Sequence, residues 1–406
     1  MAGGTVLVLG GGVGGLVASN VLNEKLGRRV RVQLIERKKE FQFPPSYPWL
    51  MLGMRKPEQV QRSLSPLKKK GIDVVHDEVL SIDVVKKVVK TRDDAFSFDH
   101  LIIALGAEYA LDAVPGFREH AHHIYDLESA LRFRTAIDDF SGGDVAVGVS
   151  RTPFKCPAAP YETALLLDHH FKKKGLGNRF RIRFFTPEGL PLPSAGPDIG
   201  NGTLELMKSR GIDPKFNAKL TEIRPKEAVF EDGSTIPFDL LFAVPPHKCP
   251  QPVVDAGLTD QSGWIPVDPG TLLTKFENVY AVGDVASVPT PLGFVPYLPK
   301  AGVFAHGQAE VVADNIVAEI EGRATKKAFD GSGSCFLMTG GEQAGFVKGT
   351  WFAKPHPDIR FQSPSRALYM ERVLFEKYWM HHWFHTNALM EVLDGPIDWM
   401  HHKIQH

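Results

Sequence analysis

The feature that most constrains this chain lies at its start, where Val6–Gly15 reads V-L-V-L-G-G-G-V-G-G. A run of valine and leucine alone suits a strand buried on both faces. The glycines fall as Gly10-x-Gly12-x-x-Gly15, and Leu16–Asn23 continues as a helix. Glycine is required where the turn is tight and where a pyrophosphate must approach bare backbone. The following helix N-terminus offers unbonded N–H groups and partial positive charge to an anion. A second apolar run, Val30–Ile35, ends in Glu36, 21 residues beyond Gly15. An acid there hydrogen-bonds a ribose diol and repels a 2′-phosphate. An ordinary strand–turn–helix is the alternative. The glycine spacing and the acid together favour an adenine-dinucleotide fold.

A chain of 406 residues has room for two domains and a smaller third piece. Lys+Arg and Asp+Glu both total 47, so net charge recruits neither nucleic acid nor an anionic surface. The first strand begins almost at once, which predicts no secretory signal peptide. No run of 18 uninterrupted apolar residues predicts a membrane-spanning helix. The 3 cysteines, Cys156, Cys249 and Cys335, make no disulfide framework, which points to chemical rather than architectural use.

Further along, Asp99–Leu105 reads as a buried strand closed by the small-residue turn Leu105-Gly106-Ala107. A linker over Pro115–Tyr125 and a helix near Glu128–Phe140 follow. A second alternation of strand and helix runs from Asp144 to Val244, with strands at Val145–Val149, Arg181–Thr186 and Leu240–Val244. The chain then returns with T-K-F-E-N-V-Y-A-V-G-D at Thr274–Asp284, followed by a long helix near Ala301–Glu321. An acid at the end of such a strand accepts a hydrogen bond from a ribityl hydroxyl; a capped turn is the plainer alternative. Together with the N-terminal fingerprint, Gly283-Asp284 resembles the second FAD motif of the glutathione-reductase-like flavoproteins, which implies FAD as cofactor.

The expected fold class is therefore α/β, with two Rossmann-like dinucleotide-binding domains and a C-terminal amphipathic membrane-binding segment. Residues 1–110 and 270–325 are assigned to a discontinuous FAD domain, 111–269 to the second Rossmann-like domain and 326–406 to the C-terminal domain. In the second domain a nicotinamide-binding relative would repeat the glycine fingerprint after Val145–Val149. This chain instead reads V-G-V-S-R-T-P-F-K-C-P-A-A-P-Y-E there. Pro153 and Pro157 remove backbone donors where a pyrophosphate needs them, so NAD(P) binding is disfavoured.

Cys156 lies in this altered loop beside Lys155, with Glu162 following, and Cys335 lies in G-S-G-S-C-F at Gly331–Phe336. No C-x-x-C spacing occurs, which excludes a thioredoxin-type motif and a zinc ribbon. A thiolate beside the Lys155 ammonium would have a lowered pKa. Two buried, inert thiols are the alternative. Cys249, in V-P-P-H-K-C-P, reads as a surface thiol between prolines, with a lineage-specific redox thiol as the alternative.

The segments P-S-Y-P-W (Pro45–Trp49), F-K-C-P-A-A-P-Y-E (Phe154–Glu162), Y-A-V-G-D, P-K-A-G (Pro299–Gly302) and C-F (Cys335-Phe336) resemble sulfide:quinone oxidoreductases. They are also similar to the flavoprotein subunit of flavocytochrome c sulfide dehydrogenases. The resemblance covers nearly the whole chain. It implies a redox-active Cys156–Cys335 pair beside the flavin, attacked by sulfide to give a persulfide, with Glu162 as proton acceptor. It also implies FAD-binding roles for Gly10, Gly12, Gly15, Glu36, Gly106, Gly283 and Asp284, with the Lys300 ammonium stabilising charge on the reduced ring. Many bacterial members carry a third cysteine in the segment matching His120–Glu128. This chain has Tyr125 near that place and Ser129 downstream.

The tail Ala367–Phe384 mixes Trp, Tyr and Phe with Lys, Arg and His, which suits a helix lying among lipid headgroups. Ala388–Leu393, with Trp399 and Met400, forms a second apolar stretch. A helix docked on the protein's own body or on a second subunit of a homo-oligomer is the alternative. The resemblance implies that Phe336, Phe375 and Tyr378 line a quinone pocket, and that the enzyme is peripherally membrane-associated. The histidines at 381, 382 and 385 lack a matching carboxylate or cysteine, so no metal site is expected. Three other readings share parts of this pattern: a flavocytochrome-type sulfide dehydrogenase with a haem partner, a type II NADH:quinone oxidoreductase and a flavin-carrying scaffold without turnover.

Overall fold

The computed structural model describes residues 4–291, 295–324 and 326–385. In chain order its principal elements are β1 (Thr5–Leu9), α1 (Val13–Leu26), β2 (Arg31–Ile35), β3 (Asp73–Val75) and β4 (His100–Ile103). There follow α2 (Leu127–Asp139), β5 (Gly143–Val149), α3 (Ala159–Lys173), β6 (Phe180–Phe185), α4 (Pro197–Ser209), β7 (Asp213–Lys215) and β8 (Leu240–Val244). The last are β9 (Val279–Ala281), α5 (Gly302–Ile320), β10 (Ser332–Gly340), β11 (Gln343–Thr350), β12 (Asp358–Ser365) and α6 (Arg366–His382).

One sheet has the order β9-β4-β1-β2-β3, all parallel. Val6, Leu7, Val8 and Leu9 are fully buried, as an unalternating apolar strand in a two-sided parallel sheet must be. Crossover helices cover such sheets, and α1 packs along α5. The second sheet, β7-β6-β5-β8, is parallel as well. Its mid-strand glycine, Gly148, has no room for a side chain: a Cβ there would stand 2.4 Å from the Phe185 carbonyl oxygen. That glycine serves strand packing rather than phosphate approach.

Sequence periodicity located the principal helices and every parallel strand but the short β7 to within a few residues, and left the C-terminal piece unassigned beyond its tail. That piece is an antiparallel sheet in the order β10-β11-β12, which carries Cys335 on its first strand. Its strands are glycine-rich and only partly alternating, so the period-two signal is weak.

Helix α6 turns much of its apolar surface inward. Trp379 is 3% exposed, with its ring 5.2 Å from Phe43 and 5.1 Å from Phe41. Arg55 pairs with Glu376 at 2.7 Å, and Arg372 donates to the Pro45 carbonyl at 2.7 Å. Outward apolar side chains remain at Phe361, Met370 and Leu374. The expected headgroup-lying helix is thus chiefly a docked one over its described length, because Tyr369, Phe375 and Trp379 each find an aromatic partner on the N-terminal segment. The apolar stretch Ala388–Leu393, with Trp399 and Met400, lies outside the described residues. No helix among the described residues is long and apolar enough to cross a membrane.

This docking has a measurable consequence. We expect Trp379→Ala to cost about 3–5 kcal/mol, read as a lower urea midpoint, and Trp379→Phe to retain most of that stability.

Candidate active site

The N-terminal turn is shaped by its glycines. Gly10 has φ +97°, and a Cβ there would stand 2.4 Å from the Ala104 carbonyl oxygen. A Cβ on Gly15 would stand 1.8 Å from the Gly10 carbonyl oxygen. Strand and helix can approach so closely only without side chains. Gly12 differs, since a Cβ there meets no atom within 4 Å. Gly12 caps α1, and no side chain satisfies the cap. Open space therefore lies over a helix N-terminus with free donors, as a pyrophosphate requires.

Glu36 ends β2, and its carboxylate accepts from the Gly11 amide at 2.6 Å and the Lys38 amide at 2.8 Å. It is held at the turn where a ribose would lie. Gly106 takes φ +69° with open space beside it. Gly283 takes φ +74°, and its amide donates to Gln308 at 2.8 Å, which sets Asp284 at the end of β9. The described residues fit FAD.

Lys300 departs from expectation. Its ammonium donates to the carbonyls of Asp284 at 2.6 Å and Ala286 at 3.1 Å and lies 3.6 Å from the centre of the Trp264 ring. Burial pushes its pKa down to about 8. The buried ammonium is thus engaged by backbone carbonyls and an aromatic face, which replace the solvation it has lost. Its own carbonyl accepts the Cys156 amide at 2.7 Å, so this one residue ties the cysteine loop to the Asp284 turn.

Cys156 stands three residues before α3 in the left-handed region, φ +55°. Cys335 lies on β10 between buried neighbours; its sulfur keeps accessible surface although protein surrounds it, which puts it on the wall of a crevice. Both are free thiols. Each lies within electrostatic reach of Glu162, and among ionisable neighbours Cys335 acts most strongly on Cys156. Glu162 is 6% exposed, and its carboxylate accepts the Met338 amide at 2.7 Å. Burial raises it to about 7, against the opposing Met338 bond and Arg372 charge.

The expectation that Lys155 depresses the Cys156 thiol is overturned. Burial, then the charges of Cys335 and Glu162, push Cys156 well above its usual range. Burial and Glu162 likewise push Cys335 up to about 12. Adjacency in sequence did not make the Lys155 ammonium the dominant neighbour. Cys249 is also corrected: it is 5% exposed, and burial pushes its pKa up to about 12. It packs in the apolar core rather than on the surface.

Phe336 and Phe375 meet with ring centres 6.3 Å apart, and Phe375 lies 6.3 Å from Phe43. Tyr378 does not join them. Its hydroxyl bonds His382 at 3.0 Å, and it lines a separate cavity of 500 Å³ with Val303, Gly307 and Phe329. Arg372 escaped the sequence reading. It is 4% exposed, its guanidinium lies 4.6 Å from the Trp49 ring centre and 5.9 Å from that of Phe375, and its Nη1 has no partner. A buried arginine on a helix read as lipid-facing gave no signal beyond the positive charge itself. Among the described residues no cluster of histidine, cysteine and carboxylate side chains could hold a metal.

Three comparisons bear on this arrangement. The Aquifex aeolicus sulfide-quinone reductase is 28% identical over 396 residues, covering 92% of this chain and 90% of that one. The mitochondrial sulfide:quinone oxidoreductase of Mus musculus is 25% identical over 380 residues, covering 90% and 82%. The crystal structure of the sulfide:quinone oxidoreductase from Aquifex aeolicus superposes with a TM-score of 0.85 at 26% identity, covering 96% of this chain and 95% of that one. The family model for pyridine nucleotide-disulphide oxidoreductases matches residues 4–309, both parallel sheets included, and the chain belongs to that family.

Proposed function

We propose that this chain is an FAD-dependent sulfide:quinone oxidoreductase. The observation that carries the reading is the 2.7 Å bond from the Met338 amide to Glu162, which sets the strand of Cys335, three residues earlier, against the helix entered through Cys156. The named relatives cover nearly the whole chain and support the same assignment. Gly10, Gly12, Gly15, Glu36, Gly106, Gly283 and Asp284 hold the dinucleotide. A bound flavin would supply the two-electron acceptor that oxidises the freed thiolate and the persulfide to a sulfur-bridged pair, and would pass those electrons on to a quinone.

The chemistry at the cysteines follows from their surroundings. In the oxidised state Cys156 and Cys335 share a disulfide. Hydrosulfide attacks one sulfur, the S–S bond breaks, and a new S–S bond leaves a persulfide on one cysteine and a thiolate on the other. The persulfide proton passes to Glu162, whose pKa near 7 lets it take and release a proton at neutral pH. Arg372 reaches both Glu162 and Cys335 and offsets the negative charge that develops there. On the acceptor side, the Phe336 and Phe375 faces and the free Arg372 Nη1 suit a planar ring bearing carbonyl oxygens. Peripheral membrane contact through Phe361, Met370 and Leu374 would give a lipid-soluble quinone its entry.

The second parallel sheet argues against a nicotinamide donor. Pro153 and Pro157 stand after β5, and Gly148 is consumed by packing on Phe185.

Three measurements test this. Anaerobic sulfide should bleach the flavin of the wild-type protein and a soluble quinone should restore it, while Cys156→Ser and Cys335→Ser each abolish bleaching; normal bleaching in both variants refutes the reading. Gly12→Ala should fold with an unchanged unfolding midpoint yet bind FAD at least about tenfold more weakly, because its methyl fills the anion's approach. For Glu162, the charged form is the proton acceptor, so its contribution grows as pH rises through 7. The wild-type to Glu162→Gln rate ratio, in which the substrate's own ionisation cancels, should climb about tenfold per unit below that pH and level off above it. A flat ratio would remove Glu162 from the proton path.

A further inference from the structure

Cys156 has a second set of neighbours besides Cys335 and Glu162. Lys155 places its ammonium 5.1 Å from the centre of the Tyr109 ring and 6.0 Å from that of Tyr125. Among the described residues no carboxylate lies within salt-bridge distance of it; aromatic faces and a tyrosine hydroxyl surround this cation instead. Tyr125 is 5% exposed, and its hydroxyl has no hydrogen-bond partner. Among ionisable neighbours Cys156 acts most strongly on this phenol, and it also acts on Lys155, its neighbour in the chain. His247 stands edge-on to both tyrosines, with ring centres 5.2 Å from each. Its Nδ1 lies 2.7 Å from the Pro245 carbonyl, which can only accept, so Nδ1 carries the hydrogen. Burial, then the Lys155 charge, push His247 down to about 3, so the ring is neutral and Nε2 is an acceptor. That Nε2 is buried and unpartnered too.

A buried cation, a free hydroxyl donor and a free nitrogen acceptor beside one reactive thiol complement a small anion that also carries one hydrogen. Hydrosulfide has that chemistry, and the outer sulfur of a persulfide presents its halves in turn, an S–H to the acceptor while protonated and an anion to the donors once deprotonated. We infer that Lys155, Tyr125 and His247 form a pocket for an anionic sulfur at Cys156, with Lys155 and Tyr125 as donors and His247 as acceptor. The inference rests on the sulfide reading above and adds to it the residues that hold sulfur without a third thiol. Tyr109 keeps the pocket in register: it pairs across from His247, and its hydroxyl donates to the Tyr125 carbonyl at 2.6 Å. An S–S bond of about 2.05 Å sets how far a persulfide on Cys156 extends beyond the thiol.

The test uses the FAD-loaded full chain and three variants, Lys155→Met, Lys155→Arg and Tyr125→Phe. If the pocket captures free hydrosulfide, the second-order rate constant for anaerobic bleaching by sodium sulfide falls about tenfold in Lys155→Met and severalfold in Tyr125→Phe. If it holds bound sulfur, the lifetime of the persulfide, trapped with iodoacetamide and read by mass spectrometry, shortens by a similar factor while bleaching is unchanged. Lys155→Arg, which keeps the charge, should restore most of either effect. Both quantities unchanged in Lys155→Met and Tyr125→Phe, at full FAD content, overturns the pocket. So does loss of FAD or an altered flavin spectrum in those variants with Lys155→Arg failing to rescue, since the pair would then serve the cofactor. A wild-type protein that sulfide does not bleach refutes the sulfide reading itself, a result distinct from normal bleaching that the variants leave untouched.

Discussion

The hydrogen bond from the Met338 amide to the Glu162 carboxylate joins residues 176 apart in sequence. It sets strand β10, with Cys335, against helix α3, whose approach carries Cys156. A carboxylate in this position is costly to bury, and one amide and the Arg372 charge offset only part of that cost. The remainder appears as an acid poised near neutrality. Had the same carboxylate been fully paired, it would be a structural anion with no proton to exchange. In the proposed reaction this incomplete compensation is what lets Glu162 take up a proton.

Lys300 extends this logic to the dinucleotide side. Its carbonyl holds the Cys156 amide, and its ammonium holds the carbonyls around Asp284. The loop that bears Cys156 and the turn that carries Asp284 are thus fixed to one residue at the entrance to α5. Helix α6 closes the other side. Its buried Arg372 reaches Glu162 and Cys335 while its Trp379 stacks on Phe43, so the seating of the C-terminal helix and the charge balance at the cysteines are coupled.

Much of this was legible beforehand where local physics dominates. The Gly10, Gly12 and Gly15 spacing, the acid at Glu36 and the apolar runs of both parallel sheets follow from backbone geometry and periodicity. The antiparallel sheet around Cys335 escaped, because Gly331, Gly333 and Gly340 interrupt its alternation. Charge effects were the least legible. Lys155 is adjacent to Cys156, yet burial and the more distant partners Cys335 and Glu162 outweigh it. Lys300 was expected to turn its ammonium to a ligand and turns it to carbonyls instead. Cys249 was read as a surface thiol from its flanking prolines, but its side chain is buried in the core while its neighbour Lys248 is exposed.

The sequence alone determined the dinucleotide turn, the succession of parallel strands and helices, and the replacement of a second glycine fingerprint by a proline-flanked cysteine. Each of these depends on a few neighbouring residues and on φ, ψ and spacing. Only the tertiary structure decided that Glu162 is buried against the strand of Cys335, that the Arg372 charge acts on it, and that the rings of Tyr125 and His247 gather near Lys155. These are matters of burial and long-range proximity, and in a low-dielectric interior the cost of a charge is set by what surrounds it in space.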